Sequence, residues 1–461
     1  MSFLTRNRAC GHTRNTSGRG FQPRFESLEP RVMLAVDTAV GDLDFKAYQA
    51  ITPINGEHWF SMTSTQAGLL TAVADPRNPG TPSLGLYDSM SSTTPLATGT
   101  EDDGTWRLDY ATAADQEYFL KLGGTSNSVD MLLANLFNKT GTTATVGGTS
   151  FLDEYEFNAG ASRVVTVNGI KYAYSNSELT NVTIDGEGGL NTVVLRDSPG
   201  DDTLLASPGQ AVLSNGEGDS EPNFTVTATG MVDVQVYGTA GGTDAATLNG
   251  SDGADKLKVY DDFARLRTQG GATAVRAKLF DTVNAAVDAG DGSKDVAVFR
   301  STTQDDTFNF NGAANSARIQ SALRDVTGKG FDKILAYGEG GNNDVARFTD
   351  MPGTEKDVFY MRNHKTELVA ANVSVTARAF DEVHATASQD GDNVARLYDT
   401  AQDEHFEFVG NAARVYRESG SARDLRYAAV GFDLVKAHRS EGDDTVDEQT
   451  YTYELIKRGF V

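Results

Sequence analysis

Cysteine is nearly absent from this chain of 461 residues, and the single copy is Cys10. No disulfide can form within the chain, so its stability must come from packing or from bound ions. No apolar run approaches the 18 residues that a membrane-spanning helix requires. The six histidines lack metal-ligand spacing, and neither a Gly-x-Ser-x-Gly elbow nor a phosphate-binding loop occurs. These absences exclude disulfide scaffolds, ordinary membrane helices and the common motif-defined enzymes.

Charge is unevenly distributed, with a basic N-terminal segment and an acidic remainder. The net charge is −24, whereas residues 1–35 carry six Arg and two Glu, which leaves −28 for the remainder. An acidic surface of this size repels nucleic acid and anionic lipid and attracts divalent cations. The composition therefore argues against a nucleic-acid or peripheral-membrane partner.

Glycine is abundant, and apolar and polar residues alternate over short stretches. The chain has 47 glycines, roughly 10% where about 7% is average. Val, Thr and Ala recur at every second position between turns rich in Gly, Asn and Asp. This pattern predicts an all-β chain of many short strands.

The N-terminal segment 1–35 has the charge of an export leader but lacks its apolar stretch, so physical reasoning alone indicates a disordered basic tail. The stretch "FESLEPRVMLA" resembles the Leu-Glu-Pro-Arg-x-Leu-Leu export motif of secreted planctomycete proteins, with Met33 where that family usually has Leu. The resemblance implies secretion to the extracellular space or the cell surface and removal of the leader.

Residues 46–137 contain short alternating segments separated by turn residues, a pattern typical of a small antiparallel β-sandwich. Their order, "WFSMTSTQAGLLTA", "LGLYD" and "LDYATAADQEYFLKLGG", resembles the bacterial pre-peptidase C-terminal domain. That family commonly has Asp residues where this chain has Ser83 and Gly85, so the resemblance implies the sandwich fold without implying a metal site in it.

Residues 138–461 form a repeat array. The apolar residue of the strand before each acidic glycine turn recurs at intervals of 52, 49, 51, 49 and 52 residues. Only a structural repeat keeps such spacing over half a chain. These anchor residues are Val182, Val234, Val283, Ile334, Val383 and Val435.

Two architectures fit units of this length. In a β-solenoid or parallel β-helix, each unit would form about two coils of roughly 25 residues. In a six-bladed β-propeller, each unit would form one four-stranded blade. Brief strands and tight Gly/Asn/Asp corners favour the solenoid. Segments such as "LYDTAQDEHFEF" resemble the fifty-residue arrays of planctomycete surface proteins, which also implies an open stack.

Calcium is the natural candidate for a ligand of the repeated acids, because it prefers several oxygen ligands. "GSDGADKLK" resembles the nonapeptide of repeats-in-toxin proteins and makes Asp252 and Asp255 the candidate metal ligands, with weak binding expected. The alternative is that the repeated Asp residues cap turns and protect strand edges. The spacing supports this structural role more strongly than tight calcium binding.

The predicted function is that of a secreted, non-enzymatic surface or matrix protein. Its acidic β-repeat scaffold would serve adhesion to a cell-surface or matrix polysaccharide or protein. The alternative is a carbohydrate-active β-helix, a polysaccharide lyase or hydrolase, in which Asp residues would do acid–base chemistry. Asp305 with Asp306 and Asp201 with Asp202 occupy equivalent places in their units. That equivalence favours a scaffold, because an active site would break the repeat locally.

Overall fold

The computed structural model describes residues 37–53, 56–216, 222–288, 292, 294–338, 340–341, 343–353, 355–388, 391–419, 422–440 and 442–460. The leader, its export motif and Cys10 lie outside these residues. The described chain is almost entirely β-strand, with two 3₁₀ turns, Gln269–Gly271 and Gly312–Ala314. Within the described ranges, no helix has the length and apolar character needed to cross a lipid bilayer.

The first strands form a β-sandwich. They are β1 (Asp37–Leu43), β2 (Phe45–Ile51), β3 (Glu57–Ser64), β4 (Gly68–Pro76), β5 (Pro82–Tyr87), β6 (Ala97–Thr98), β7 (Thr100–Asp102), β8 (Thr105–Thr112), β9 (Gln116–Gly124) and β10 (Val129–Thr140). One sheet has the order β1-β3-β9-β5-β6. The facing sheet is built from β2, β10, β4, β8 and β7. The pairing is antiparallel as predicted, except that β1 and β3 run parallel.

The strands that follow form a β-solenoid, as the repeat predicted. They are β11 (Thr143–Val146), β12 (Glu154–Asn158), β13 (Arg163–Val167), β14 (Ile170–Tyr174), β15 (Asn181–Asp185), β16 (Asn191–Arg196), β17 (Asp202–Ser207), β18 (Gln210–Asn215), β19 (Thr225–Thr229), β20 (Met231–Tyr237), β21 (Ala245–Asn249), β22 (Lys256–Val259), β23 (Phe263–Arg267), β24 (Ala274–Lys278), β25 (Thr282–Ala286), β26 (Val296–Arg300), β27 (Thr307–Asn311), β28 (Ser316–Gln320), β29 (Asp325–Lys329), β30 (Lys333–Tyr337), β31 (Val345–Thr349), β32 (Val358–Arg362), β33 (Lys365–Val369), β34 (Ser374–Arg378), β35 (Glu382–Thr386), β36 (Val394–Tyr398), β37 (Glu404–Gly410), β38 (Ala412–Ser419), β39 (Ala422–Val430), β40 (Leu434–His438), β41 (Thr445–Tyr451) and β42 (Glu454–Arg458).

The solenoid has two sheets, and the chain crosses between them at each corner. Sheet 1 begins in the sandwich and continues through β11, β15, β17 and their neighbours, while sheet 2 has the order β14-β13-β12-β16-β20-β24-β23-β22-β26-β30-β34-β33-β32-β36-β40-β42. Strands of successive coils pair in parallel, as β21 does with β25 and β25 with β29. These inter-coil ladders exclude the propeller, in which each unit would be a separate blade.

Each unit contains one group of three strands whose middle strand is antiparallel to its neighbours. The groups are β12–β14, β17–β19, β22–β24, β27–β29, β32–β34 and β37–β39. After β17–β19 in sheet 1, the chain passes through β20 in sheet 2 and β21 in sheet 1, and then forms β22–β24 in sheet 2. The prediction that each unit forms about two coils of roughly 25 residues was therefore wrong. A unit makes three passes between the sheets.

Because three is odd, equivalent residues of successive units lie on opposite sheets. Val283 belongs to β25 of sheet 1, whereas the equivalent Ile334 belongs to β30 of sheet 2. All six anchor residues are buried. They belong to one continuous apolar cluster that contains side chains from both sheets. Period-two alternation directs these residues inward regardless of which sheet receives them.

The sandwich and the solenoid share β10. Its N-terminal part pairs with β2 and β4, and Phe137 to Thr140 pair with β11. At this junction the ring of Phe137 stacks on Tyr172 with centroids 4.2 Å apart. The Tyr172 hydroxyl donates to Thr71 Oγ1 at 3.1 Å. The sandwich thus covers the first edge of the solenoid, an edge that would otherwise present unpaired backbone groups.

Glycine is required in the acidic turns because the chain there closely approaches the preceding coil. Gly242 has φ +83°, and a Cβ atom on it would lie 2.2 Å from the carbonyl oxygen of Gly200. Glycines occupy the same place, two residues before the buried acid or amide that enters the next strand, at Gly189 and Gly442, where a Cβ would also meet a carbonyl. This approach explains the Gly-x-Asp pattern of the sequence.

We expect Gly242→Ala to destabilise the protein more than Gly169→Ala. Both glycines have φ near +85°, but a Cβ on Gly169 would meet no atom within 4 Å. Each substitution should cost about 1–2 kcal/mol for the left-handed backbone, and Gly242→Ala should cost a further ~1–3 kcal/mol for the clash. Urea denaturation of the two variants measures the difference. Equal losses would contradict the required close approach.

Candidate functional site

Acidic residues recur at the corners where the chain enters each three-strand group. Asp202 is a representative example, since its Oδ2 accepts hydrogen bonds from the backbone N–H and the hydroxyl of Ser198 at 2.9 and 2.8 Å. In most units a Ser or Thr four residues earlier donates in this way, as Ser251 does to Asp255 and Thr302 to Asp306. The equivalent corner acids are Asp153, Asp202, Asp255, Asp306, Asp357 and Glu404, and all are buried.

A second set of acids links successive coils through the backbone. The N–H of Asp202 donates to Asp244 at 2.9 Å, and the N–H of Asp244 donates to Asp281 at 2.8 Å. Asp306, Asp344 and Asp381 form the same chain of bonds at 2.8 and 2.9 Å. The Asp of each Phe-Asp motif is therefore an acceptor for a backbone N–H of the preceding coil, and a hydrogen bond to a charged acceptor contributes about 1.5–3 kcal/mol.

The two sequence-predicted metal ligands have different environments. Asp255 is 2% exposed, and its carboxylate accepts from Ser251 N and Oγ at 2.6 and 3.1 Å, while its own N–H donates to Asp295. Asp252 is exposed to solvent. Neither residue belongs to a group of three or more potential metal-ligating side chains among the described residues.

Two groups of three acids have the geometry to hold a metal ion. In each, one carboxylate oxygen per residue lies within 4.8 Å of those of the other two. The first group is Asp197, Asp202 and Asp244, and all three side chains are buried. The second is Asp399, Glu404 and Asp444. Neither group includes a histidine, so both offer the all-oxygen ligands that calcium prefers.

The units differ in how these acids are compensated. In the second group, Arg439 Nε donates to Asp444 Oδ2 at 2.9 Å. In the unit of Asp350, the place of the third acid is taken by Asn393, whose Nδ2 donates to Asp350 Oδ2 at 2.8 Å. Neither arrangement occurs in the first group.

The first group retains an unpartnered oxygen. Asp197 Oδ2 accepts from the backbone of Ala240 at 2.7 Å, and Thr239 also interacts with this carboxylate, but the buried Asp197 Oδ1 has no partner in hydrogen-bonding geometry among the described residues. In the same part of the structure, neither Asp197 nor Asp244 forms an ion pair with Lys or Arg. The Asp197–Asp202–Asp244 group is thus the one best suited to hold a cation.

Burial raises the pKa of Asp244 to about 7, and repulsion from Asp197, Asp202 and Asp281 adds to the increase. Burial also raises the pKa values of Asp197, Asp306, Asp357, Glu404 and Asp444. An unfolded aspartate has a pKa near 3.9. The folded protein therefore binds protons more tightly than the unfolded chain between these pH values.

We expect the metal-free protein to lose stability as the pH rises from about 4 through 7. Because the folded pKa of Asp244 is the higher one, its protonated form contributes stability that is complete below the unfolded pKa and is lost on ionisation of the folded state. Urea denaturation in EDTA at pH 5 and pH 8 measures the effect, and Asp244→Asn should flatten the profile. Because the lowered pKa values of His405 and His438 act in the opposite direction in both proteins, the raised pKa of Asp244 would be contradicted if the wild type and Asp244→Asn had the same pH profile.

The basic residues of the solenoid concentrate on the outward face of sheet 2. From β16 to β42, this face carries Arg196, Lys256, Lys258, Arg265, Arg267, Arg276, Lys278, Arg300, Lys333, Arg362, Lys365, Arg378, Arg396, Lys436 and Arg458. The acids at outward positions of the same strands are Asp233, Glu367 and Glu454. Strands of sheet 1 such as β19, β21 and β27 instead present mainly Thr and Asn.

Aromatic rings lie between the cations of this face. Arg196 and Lys278 lie over the ring of Tyr237, with 4.7 and 4.3 Å to its centroid, and Arg300 covers Tyr337 at 4.9 Å. These contacts fix the long basic side chains against the sheet. The negative charge that dominates the sequence therefore does not extend over this face.

A cleft of about 420 Å³ opens on the basic face. Its cationic lining is Lys256, Lys258, Arg265, Arg267 and Lys294. Sequence reasoning missed both the face and the cleft, because the repeat pattern did not show which of the two sheets each strand belongs to. The signal was the cluster of basic residues at alternate positions of "KLKVYDDFARLR", which is visible only once the inward residues of these strands are known.

No protein-family model matches the chain, and no curated protein matches it. The solved structures with similarity include the pre-peptidase C-terminal domain of a collagenase from Bacillus anthracis, at 11% identity over 21% of this chain and 92% of that chain, with a TM-score of 0.18. Another is the Aeromonas hydrophila periplasmic inhibitor of g-type lysozyme, at 10% identity over 21% of this chain and 97% of that chain, with a TM-score of 0.15. A pre-peptidase C-terminal domain is thus a structural neighbour, and at these values the likenesses carry no inference about activity.

Proposed function

We propose that this protein is a secreted, non-enzymatic surface or matrix protein whose β-solenoid serves adhesion. The observation that carries the proposal is the equivalence of the corner acids. From Asp153 to Glu404 they occupy the same place in successive units and accept hydrogen bonds from the protein itself. An active site would instead make one unit chemically unlike the others. The location rests on the resemblance of the leader to an export motif.

Calcium binding is part of this proposal. The residues that would hold the ion are Asp197, Asp202 and Asp244, because they offer buried oxygens without the arginine or amide found in the corresponding groups. An ion there would cancel the repulsion among the three carboxylates and fasten successive coils to each other. Asp252 and Asp255 remain weaker candidates, since neither belongs to a group of three potential metal-ligating side chains among the described residues.

Treatment of acidic and neutral polysaccharides with the full chain tests the non-enzymatic role. We expect no new reducing ends and no unsaturated products above those of a heat-denatured sample, with and without calcium. The alternative function is a polysaccharide lyase or hydrolase, favoured by the presence of an open cleft beside Asp255. If new ends are released over time, and if the Asp255→Asn variant is folded but no longer releases them, the protein is this enzyme and the non-enzymatic proposal is wrong.

A further inference from the structure

At several places in the repeat, the charge depends on the sheet to which the strand belongs. The groups β22–β24 and β27–β29 are equivalent in their units but belong to sheet 2 and sheet 1. When the inward Leu257 is matched to the inward Phe308, Lys256 corresponds to Thr307 and Lys258 corresponds to Asn309. The repeat alone would give both faces the same chemistry. The basic face is therefore a property of one side of the molecule.

Within the described part of the chain, four of the five cations of the cleft also lack the acidic partners found elsewhere. Arg318 in β28 forms an ion pair with Asp325 in β29. Arg265 is the equivalent residue in β23, but Ala274 stands where Asp325 stands in the other group. Within the described residues Arg265 forms no ion pair, and its buried Nε has no hydrogen-bond partner.

The same lack of described acidic partners holds for three other cations of the cleft. Lys256, Lys258 and Arg267 form no ion pair with any described acid. Among the described residues, the acid that lines the cleft is Asp255, which is 2% exposed and already accepts hydrogen bonds from Ser251. A group of cations that no described acid compensates, on a protein of net charge −24, forms a place to which anions from outside the chain can bind.

We propose that this cleft binds the anionic groups of an extended acidic polysaccharide. The inference rests on the proposed adhesive function and names its partner class. Lys256, Lys258, Arg265 and Arg267 would contact carboxylate or sulfate groups through charge-assisted hydrogen bonds. The basic residues on neighbouring strands of sheet 2 continue the contact along the solenoid, where parallel strands repeat about every 4.8 Å.

A polysaccharide fits the cleft better than a nucleic acid does. Sites for single-stranded nucleic acid use aromatic rings to stack bases, and the described residues that line this cleft include no aromatic side chain. The tyrosines elsewhere on the face are covered by Arg and Lys. The remaining surface is acidic and would repel the high charge density of nucleic acid.

Binding of the full chain to immobilised polygalacturonate tests the proposal. The test variant is Lys258→Gln with Arg265→Gln. The matched control is Lys329→Gln with Arg347→Gln, which removes the same charge from exposed residues of sheet 1. We expect the dissociation constant to increase about tenfold for the test variant and less than twofold for the control. Binding of the wild type should weaken between 20 and 200 mM NaCl and be absent on uncharged dextran.

The outcomes separate the two proposals. Equal losses in both variants, no binding at 20 mM NaCl, or tighter binding of a single-stranded oligonucleotide would overturn the assignment of the cleft while leaving the non-enzymatic scaffold standing. New reducing or unsaturated ends from bound polygalacturonate would overturn the non-enzymatic function while supporting the cleft as the polymer site. Urea midpoints of both variants within error of the wild type establish that each is folded.

Discussion

Replacing Phe308 with alanine is expected to lower the free energy of unfolding by about 3–5 kcal/mol, the range for removing a buried aromatic ring from a core. Phe308 is fully buried. Its ring lies 5.8 Å from that of Phe299 in sheet 2, and 6.0 Å from the rings of Phe348 and Phe380. Truncation would therefore open a cavity in contact with both sheets and with the next coil.

Urea denaturation followed by circular dichroism measures this loss, and Leu205→Ala provides the control. Leu205 is 50% exposed on β17, so its truncation should cost less than about 0.5 kcal/mol. Solenoids unfold as coupled neighbouring units, and the Phe308 variant should accordingly also show a broader transition. A loss no larger than that of Leu205→Ala would contradict a single core shared by the coils.

Calcium is expected to stabilise the protein, and Asp197→Asn is expected to abolish the effect. An ion that binds only the folded state contributes about 2.7 kcal/mol when its concentration is 100 times the dissociation constant, and 10 mM calcium reaches this ratio for a site of about 10⁻⁴ M. In EDTA, Asp197→Asn should be at least as stable as the wild type, because the substitution removes one of three mutually repelling carboxylates.

The matched control is Asp350→Asn, which changes the corresponding acid in the unit where the Asn393 amide already contacts it. Its response to calcium should remain that of the wild type. Calorimetric titration should give one site per chain. If calcium stabilises Asp197→Asn as strongly as the wild type, the ion binds elsewhere. If it stabilises neither protein, the Asp197 group holds no calcium.

The sequence predicted the elements that depend on local pattern. Alternation placed the six anchor residues inside, and the structure confirms this for each of them. Turn residues and short strands between 46 and 137 predicted the sandwich, whose described strands extend from Asp37 to Thr140. The Phe-Asp motif recurs because its Phe is buried in the core and its Asp accepts a backbone N–H from the preceding coil.

The number of passes per unit could not be predicted from the pattern, because a short strand has the same alternation whether it crosses to the other sheet or turns back beside its neighbour. The turn between β22 and β23 returns the chain to sheet 2, whereas the corner after β21 sends it across. A crossing corner such as the one at Gly242, between β20 and β21, approaches the backbone of Gly200 in the preceding coil, and local alternation does not reveal such a contact. Because the sequence did not show which sheet each strand belongs to, neither the basic face nor the Asp197 group could be located from it.

The odd number of passes constrains how the length of the array can change. Removing one whole unit would keep every hydrophobic residue inside, but it would move all later strands to the opposite sheet. Lys333 and Arg396 would then lie on sheet 1, beside its outward Thr residues. Removing two adjacent units would restore the original sides. Functional variants of this array should therefore gain or lose units in even numbers.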